Sequence, residues 1–428
     1  MHARGLHRHA EVKSAHAGEA PGHESRWDRN GYNSRVASCP SQLQRVLFAS
    51  GLAKMTALGC WQQYSDKVIK PEGRADSERY GSLLTALANS LFDGKTEVEI
   101  LDIGGDGTPV QSKCLSSSEE IEQHLQGDRP AFRLVSLSKK HSLKPFMIEK
   151  HSFLKVLTTH KIRPCFLDMF FGFRAQGELS EKSFGVWSQP AWRGQSTVIC
   201  YQFRYIERND HKQGSRWSER QIGVYHEISS HSDNSGVMIL LHAMPGSKVQ
   251  RRISKELADG TERGGHAQRL RPFQMHLLIF SSYLDEWRWY LDEIGTTCRE
   301  MEDEILTAEL KHDQSLSFST LQTLRHLESK LITMVTILRT TVETIEQVAL
   351  LCADFEQNDG SQIVARTNTP SPTVLIHVDT KNLQDLARRA QSYKASAKYI
   401  QSRAEKLIDT MASTKKANTQ QRTSVNRS

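Results

Sequence analysis

The segment IGGDGTP, Ile103 to Pro109, is the first place where residue types and spacing could do chemistry. It follows the predicted strand TEVEILDIG, and a Gly-Gly-Asp-Gly-Thr turn after a strand can direct backbone N–H groups at a phosphate. Pro109 removes one N–H and opposes an immediate helix, so no helix N-terminus is expected to face the turn. These residues favour a Gly/Asp turn that simply ends a strand.

The same turn is similar to the GGDGT turn of the NAD-kinase and diacylglycerol-kinase group. That resemblance implies a nucleotide-binding enzyme, which we keep as the second alternative function. Serine and cysteine residues are present, but the sequence identifies no oriented His–carboxylate set beside them. We therefore predict that the chain is not an enzyme and has no catalytic residues.

Histidines are the next residues that could bind or react. His226, His242 and His276 lie within apolar patterns, which is typical of core histidines, and His231 and His242 lack a third close ligand for zinc. The N-terminal segment holds further histidines that could catch a transition metal, although nothing there fixes a geometry; they are His2, His7, His9, His16 and His23. We predict no cofactor, with a divalent cation as the open alternative and its ligands unknown.

The run WRWY, from Trp287 to Tyr290, is the strongest candidate for a contact site. Tryptophan, tyrosine and arginine dominate the energetics of protein interfaces, so the run could bind a partner. It could equally mark the place where a long helix docks on its own globular domain. The candidate packing or interaction residues are Trp287, Trp289, Tyr290, Leu291 and Ile294.

Three heptad seams organise the second half of the chain, with apolar residues at alternating steps of four and three. They predict a helical hairpin and a third long helix, each about 45–55 Å long. KHDQSLS joins the first two helices, and EQNDGSQIVARTNTPSPTVLIHVDT is predicted to be a long loop before the third. The first seam holds Phe280, Leu284, Trp287, Leu291, Ile294, Cys298, Met301 and Ile305; the others run from Leu321 to Val348 and from Leu383 to Met411.

The first half mixes helical and strand patterns. The late strands STVICYQFRYIER, RQIGVYHEI and SGVMILLHAM come without helices between them, which indicates antiparallel pairing. Ser116 and Glu119 have capping-box spacing at the start of a helix. We predict an α+β fold, with a mixed α/β N-terminal domain followed by a long antiparallel helical stalk or bundle of three helices. The predicted boundaries are a disordered tail over 1–40, the mixed domain over 41–250, the long helices over 270–412 and a basic polar tail over 413–428.

Composition narrows the class of protein. The net charge of +7 over 428 residues is modest, and no basic helix stands out, so no nucleic-acid partner is expected. Seven cysteines without a CxxC pair indicate a reducing compartment. The N-terminus lacks a signal-peptide h-region, and no apolar run reaches the roughly 20 residues of a membrane helix. We expect a cytoplasmic protein without a membrane span of its own.

Several stretches resemble fungal CorA-like transporter-domain proteins, that is, the soluble part of CorA-type divalent-cation transporters. They are HKIRPCFLDMFFGF, ICYQFRYIERN, RWSERQIGVYHEI and HLLIFSSYLDEWRWYLDEI, and the resemblance covers about residues 95 to 412. The Gly-Met-Asn pore signature and the two C-terminal membrane helices of the family have no counterpart here, so no pore residue is carried over.

The resemblance implies a CorA-like cytosolic domain related to Mg²⁺ transport or its regulation, lacking its own pore and membrane-associated. It also implies self-association, or a membrane-embedded partner, through the helical stalk. A non-transporting scaffold that oligomerises through the stalk is the first alternative. A chain truncated before its membrane helices would give the same sequence pattern.

Overall fold

The computed structural model describes residues 64, 74–104, 110–127, 130–174, 187–189, 196–209, 216–228, 236–262, 272–310, 318–366 and 373–425. All of these residues belong to one unit, Thr56–Ser428. The predicted N-terminal tail and most of the GGDGT turn lie outside the described residues.

A mixed sheet of seven strands lies at the centre of this unit, in the order β2-β1-β3-β7-β6-β5-β4. Strands β3 and β7 pair in parallel, and the other neighbouring pairs are antiparallel. The antiparallel pairing expected for the three late strands is therefore confirmed. The strands are β1 Val98–Ile103, β2 Gln111–Leu115, β3 Phe132–Ser138, β4 Trp187–Gln189, β5 Thr197–Arg208, β6 Trp217–Ile228 and β7 Gly236–His242.

Helices precede, interrupt and follow the strands. The helices before β4 are α1 Arg74–Ala86, α2 Ala88–Leu91, α3 Ser118–Gln126, α4 Lys150–Thr159 and α5 Cys165–Phe171. Those after β7 are α6 Lys248–Glu262, α7 Gln274–Tyr283, α8 Glu286–Leu310, α9 Phe318–Arg366 and α10 Thr373–Val425. This combination of a mixed sheet with long helices confirms the predicted α+β class.

Each face of the sheet packs against its own set of helices. Alternate residues of β5 show the division, because Tyr201 and Phe203 face the core shared with α6 to α10. Val198 and Cys200 face the second core, which is shared with α1 to α5. Coverage on both sides explains why β7, GVMILLH, is apolar over nearly its whole length. Residues of β6 alternate between the two cores in the same way as those of β5, since Val224 lies in the first core and Tyr225 in the second.

The long helices run in alternating directions. Ion pairs join Asp285 to Arg389 and Glu302 to Arg403, so α8 and α10 run the same way. Hydrogen bonds join Thr320 to Glu304 at one end of α9, and Thr380 to Glu356 near the other. Helix α9 therefore runs antiparallel to both neighbours, as the fold prediction required.

The heptad seams form the contact between these helices. Every residue of the first seam is buried, and so are most residues of the other two, including Leu331, Leu338, Ala390 and Ala404. Helix α9 has 49 residues, so it is about 74 Å long at 1.5 Å per residue, which exceeds the predicted length. Its additional turns lie beyond the last seam residue, Val348, and from Glu356 onward they occupy sequence that was predicted to be a loop.

Three local predictions were wrong. The cap of α3 is Ser117, whose side chain accepts from the Glu120 backbone N–H, one residue later than the predicted capping box. The first seam spans two helices, because α7 ends at Tyr283 and α8 begins at Glu286. The predicted long loop is mostly helical, and only 367–372 separate α9 from α10. Pro370 and Pro372 fall within 367–372, outside the described residues, and a single glycine inside a helix costs only about 1 kcal/mol.

Gly223 allows β6 to pack closely on the second core. A Cβ built there would lie 2.9 Å from Leu241 Cδ1, 3.1 Å from Met169 Sδ and 3.1 Å from Phe173 Cε2. We expect Gly223→Ala to lower the free energy of unfolding by about 1–3 kcal/mol through overpacking, measured by urea denaturation. The control is Gly81→Ala in α1, where the added Cβ meets no atom within 4 Å and the helix gains stability. Equal effects of the two substitutions would contradict the packing at Gly223.

Candidate interaction site

The structure divides the aromatic run at the start of α8 between the core and the surface. Trp287 is fully buried, and Leu291 and Ile294 are buried beside it. Trp289 points the other way and is 58% exposed, with the Arg288 guanidinium 5.2 Å from the centre of its ring. The five candidate residues therefore serve two surfaces of one helix.

Tyr290 lies at the boundary between these surfaces and fixes α8 against the sheet. Its ring packs on Trp217 of β6 at a centroid distance of 5.5 Å. The Trp217 indole N–H donates to Glu293 Oε2 at 3.0 Å, which ties the same strand to the next turn of α8. Burial raises the pKa of Tyr290 to about 12, and the Glu219 and Glu293 carboxylates add to the rise. Tyr290 therefore stays protonated and acts as a packing residue.

A groove of about 860 Å³ lies between α8 and α10 and includes the exposed part of the run. Small residues such as Gly295 and Ala395 form part of it, which lets the two helices approach closely. Aromatic and basic side chains complete its lining; they are Trp289, Tyr393, Tyr399, Arg288, Arg299, Arg389 and Arg403. Tyr399 is 65% exposed, so aromatic surface is available on both helices.

The arginines of this groove are held by local partners. Arg389 pairs with Asp285, and Arg403 with Glu302, whose carboxylate raises the pKa of Arg403 by hydrogen bonding. Arg299 donates to Thr296 Oγ1 at 2.7 Å. These contacts orient cationic groups beside exposed aromatic rings, which is the composition of protein-binding hot spots. The groove thus combines exposed aromatic rings with arginines that the chain's own side chains hold in place.

Of the five candidate residues, Trp289 and Leu291 line this groove, and the residues of α10 that complete it were not among the candidates. Tyr399 and Arg403 lie roughly a hundred residues further along the chain, and they reach the groove because α10 runs parallel to α8. No short-range signal in the sequence connects them to Trp289.

The three buried histidines form hydrogen bonds inside the first core. Tyr201 Oη lies 2.8 Å from His276 Nδ1, and His276 Nε2 lies 3.0 Å from His226 Nδ1. His242 Nδ1 lies 3.1 Å from Ser247 Oγ. Burial lowers the pKa of His276 and of His242 to about 3. They are neutral core residues, as their apolar sequence context indicated.

Asp102 is the second-last residue of β1, just before the glycine-rich turn. Arg133 Nε and Nη2 donate to its two carboxylate oxygens at 2.7 and 2.8 Å, and His124 Nε2 lies 3.0 Å from Oδ2. Burial lowers the pKa of His124, which the Asp102 carboxylate opposes. Asp102 is thereby engaged in joining β1, β3 and α3. Residues 105–109 of the turn lie outside the described residues.

Within the ranges that the structure describes, no group of three or more His, Cys, Asp or Glu side chains is arranged to hold a metal ion. Across the same ranges, no helix has both the length and the apolar character needed to cross a membrane. The N-terminal histidines fall outside these ranges.

Comparison with known proteins identifies the family. The sequence-family model of the CorA-like transporters matches residues 57–306, which span the sheet and most of α8. This chain belongs to the CorA-like transporter family.

Comparisons with curated proteins and with solved structures add less information than the family match. No curated protein matches the chain. Among solved structures, the chain is similar to the complete structure of the CorA magnesium transporter from Methanocaldococcus jannaschii, with 11% sequence identity, a TM-score of 0.43, and coverage of 77% of this chain and 81% of that one.

Proposed function

We propose that this chain acts in divalent metal-ion transport, with Mg²⁺ as the cation, or in the regulation of that transport. The family match over residues 57–306 carries the proposal, because it includes both the sheet and the helix that leaves it. In this role the chain is a non-enzymatic module at the cytoplasmic face of a membrane. Binding of a metal or a partner would shift the packing of α8, α9 and α10, which join at the seams.

The groove between α8 and α10 supports a partner-dependent role. Its exposed rings, Trp289 and Tyr399, belong to the same two helices whose seam residues are buried against each other. A partner that binds there would contact both helices and so fix their relative position. The partner would be a second copy of the chain or a membrane-embedded protein.

Cellular Mg²⁺ uptake tests the transport role. We would disrupt the gene in cells that express it, restore it, and follow uptake of an isotopically enriched Mg²⁺ by mass spectrometry. Disruption should change the initial rate of uptake and restoration should return it. Restoration with the double variant Trp289→Ala and Tyr399→Ala should fail if the groove is needed. Unchanged uptake in the disrupted cells would contradict the proposal.

A non-transporting scaffold is the second candidate, and the exposed aromatic groove favours it. Light scattering of the purified chain should show oligomers that Trp289→Glu with Tyr399→Glu dissociates. Leu350→Glu on α9 is the matched control, since Leu350 is 59% exposed but does not line the groove. A monomer at every concentration would exclude the scaffold.

A further inference from the structure

Arg204 of β5 is a buried cation, and the residues that the structure describes provide no hydrogen-bond partner for one edge of its guanidinium group. Its side chain is 4% exposed, and its Nη1 donates to Glu219 Oε1 of β6. Among the described residues, neither its Nε nor its Nη2 has a hydrogen-bond partner. Guanidinium groups stay charged in proteins, so two buried donors of a permanent cation are left unsatisfied, which costs free energy.

Arg133 in the same sheet shows what this edge is suited to hold. Its Nε and Nη2 donate to the two oxygens of Asp102, in the parallel, bidentate arrangement that guanidinium forms with carboxylate or phosphate. Arg204 presents the same pair of donors, but its one carboxylate partner, Glu219, lies at Nη1. No described residue supplies an oxyanion to this pair on Arg204, and because both donors are buried, an oxyanion would have to displace the groups that cover them.

Gln202 places an open acceptor beside these donors. It lies two residues before Arg204, on the same face of β5 and about 6.6 Å along the strand. Its Nε2 donates to Gln221 Oε1 at 2.6 Å, whereas its Oε1 accepts no hydrogen bond from any residue that the structure describes. Gln202 and Gln221 are 5% and 3% exposed, so this acceptor also lies away from bulk water.

We propose that Arg204 and Gln202 bind a phosphate group. Two phosphate oxygens accept from Nε and Nη2 of Arg204, and the protonated oxygen that inorganic phosphate carries at neutral pH donates to Gln202 Oε1. A carboxylate supplies the two acceptors but no donor, so it satisfies Arg204 and leaves Gln202 open. The site is separate from the groove between α8 and α10, and it stands whether or not the transport role does.

Thermal unfolding of the full chain tests this site with sodium phosphate as the probe. Sodium acetate and sodium chloride at matched ionic strength are the reference salts. Phosphate should raise the unfolding midpoint in a saturable way, acetate should raise it less, and chloride should leave it unchanged. An equal shift in all three salts would identify an adventitious ion or a general salt effect only, and would overturn the proposal.

Variants assign the effect to Arg204. Lysine keeps the charge but cannot present two parallel donors, so Arg204→Lys should weaken phosphate binding about tenfold or more. Arg220→Lys is the matched control, because Arg220 pairs with Glu207 on the opposite face of the same two strands, and phosphate binding should persist.

A third variant tests the site even if Arg204→Lys does not fold. Glu219→Gln removes the competing carboxylate and should tighten phosphate binding, whereas a purely structural Arg204 would show no dependence of the midpoint on phosphate. Unchanged or weaker binding in Glu219→Gln would contradict the site, as would loss of binding in Arg220→Lys.

Discussion

Acidification from pH 7 to pH 5 is expected to lower the free energy of unfolding by about 4 kcal/mol through His242 and His276, because the fold buries both as neutral imidazoles. Burial lowers the pKa of His242 and His276 from 6.5 to about 3. Burial first, and His276 second, lower the pKa of His226 well below 6.5, so His226 adds to the loss in the same direction. Well above pH 6.5 neither state is protonated and the contribution is complete. At lower pH the unfolded chain binds protons that the folded chain excludes, so by pH 5 stability falls by about 2 kcal/mol for each of His242 and His276.

Urea denaturation at several pH values measures this loss. Between pH 6 and pH 5 the slope from His242 and His276 together should approach about 3 kcal/mol per pH unit, since each excess proton contributes about 1.4 kcal/mol. His242→Asn keeps a polar atom near Ser247 and removes one titrating group, so the slope should fall by about 1.4 kcal/mol per pH unit. His326→Asn is the control, because His326 lies exposed on α9. A free energy of unfolding that does not change with pH would contradict the burial of these histidines.

The sequence predicted the elements whose apolar residues repeat regularly. Strand β7 was found because both faces of the sheet are covered, which makes it apolar over nearly its whole length, and β5 because Ile199, Tyr201, Phe203 and Tyr205 alternate along it. The seam from Phe280 to Ile305 was found because its steps of four and three persist across the break between α7 and α8. Neither pattern depends on contacts with distant residues.

Other elements were missed. Strand β2 is an edge strand, and of its residues only Leu115 is buried, so no alternation is visible in QSKCL. Helix α6 was missed although Val249, Ile253 and Leu257 repeat every four residues. The sequence between Glu356 and Thr380 has the composition of a loop, yet its prolines are confined to Pro370 and Pro372. Composition is therefore a weaker guide there than the position of the prolines.

The two proposed sites depend on geometry that no local pattern contains. Trp289 could be named as a candidate because it lies in the run WRWY. Arg403 reaches the same groove only because α10 runs parallel to α8. Arg204 looks like any charged residue near a strand end. Its role in the proposed site depends on the orientation of its side chain, because Glu219 binds Nη1 and not Nε or Nη2.

Trp287→Ala is expected to lower the free energy of unfolding by about 3–5 kcal/mol. The indole is fully buried in the core that joins the sheet to the long helices, where its ring lies 6.2 Å from that of Tyr290. Removing it leaves a cavity at the start of α8, which the docking of this helix on Trp217 prevents from collapsing. Urea denaturation at pH 7 measures the loss, and an unchanged midpoint would contradict the core position of Trp287.

Two companion variants separate the cavity from other effects of losing a tryptophan. Trp289→Ala removes the same side chain from the exposed face two residues away, and it should change stability by no more than about 0.5 kcal/mol. The Trp287 indole N–H has no hydrogen-bond partner among the described residues. Trp287→Phe thus keeps much of the ring volume and removes an unsatisfied buried donor, so it should cost less than about 1.5 kcal/mol. If Trp287→Phe instead costs as much as Trp287→Ala, then the indole N–H contributes an interaction and the cavity is not the cause.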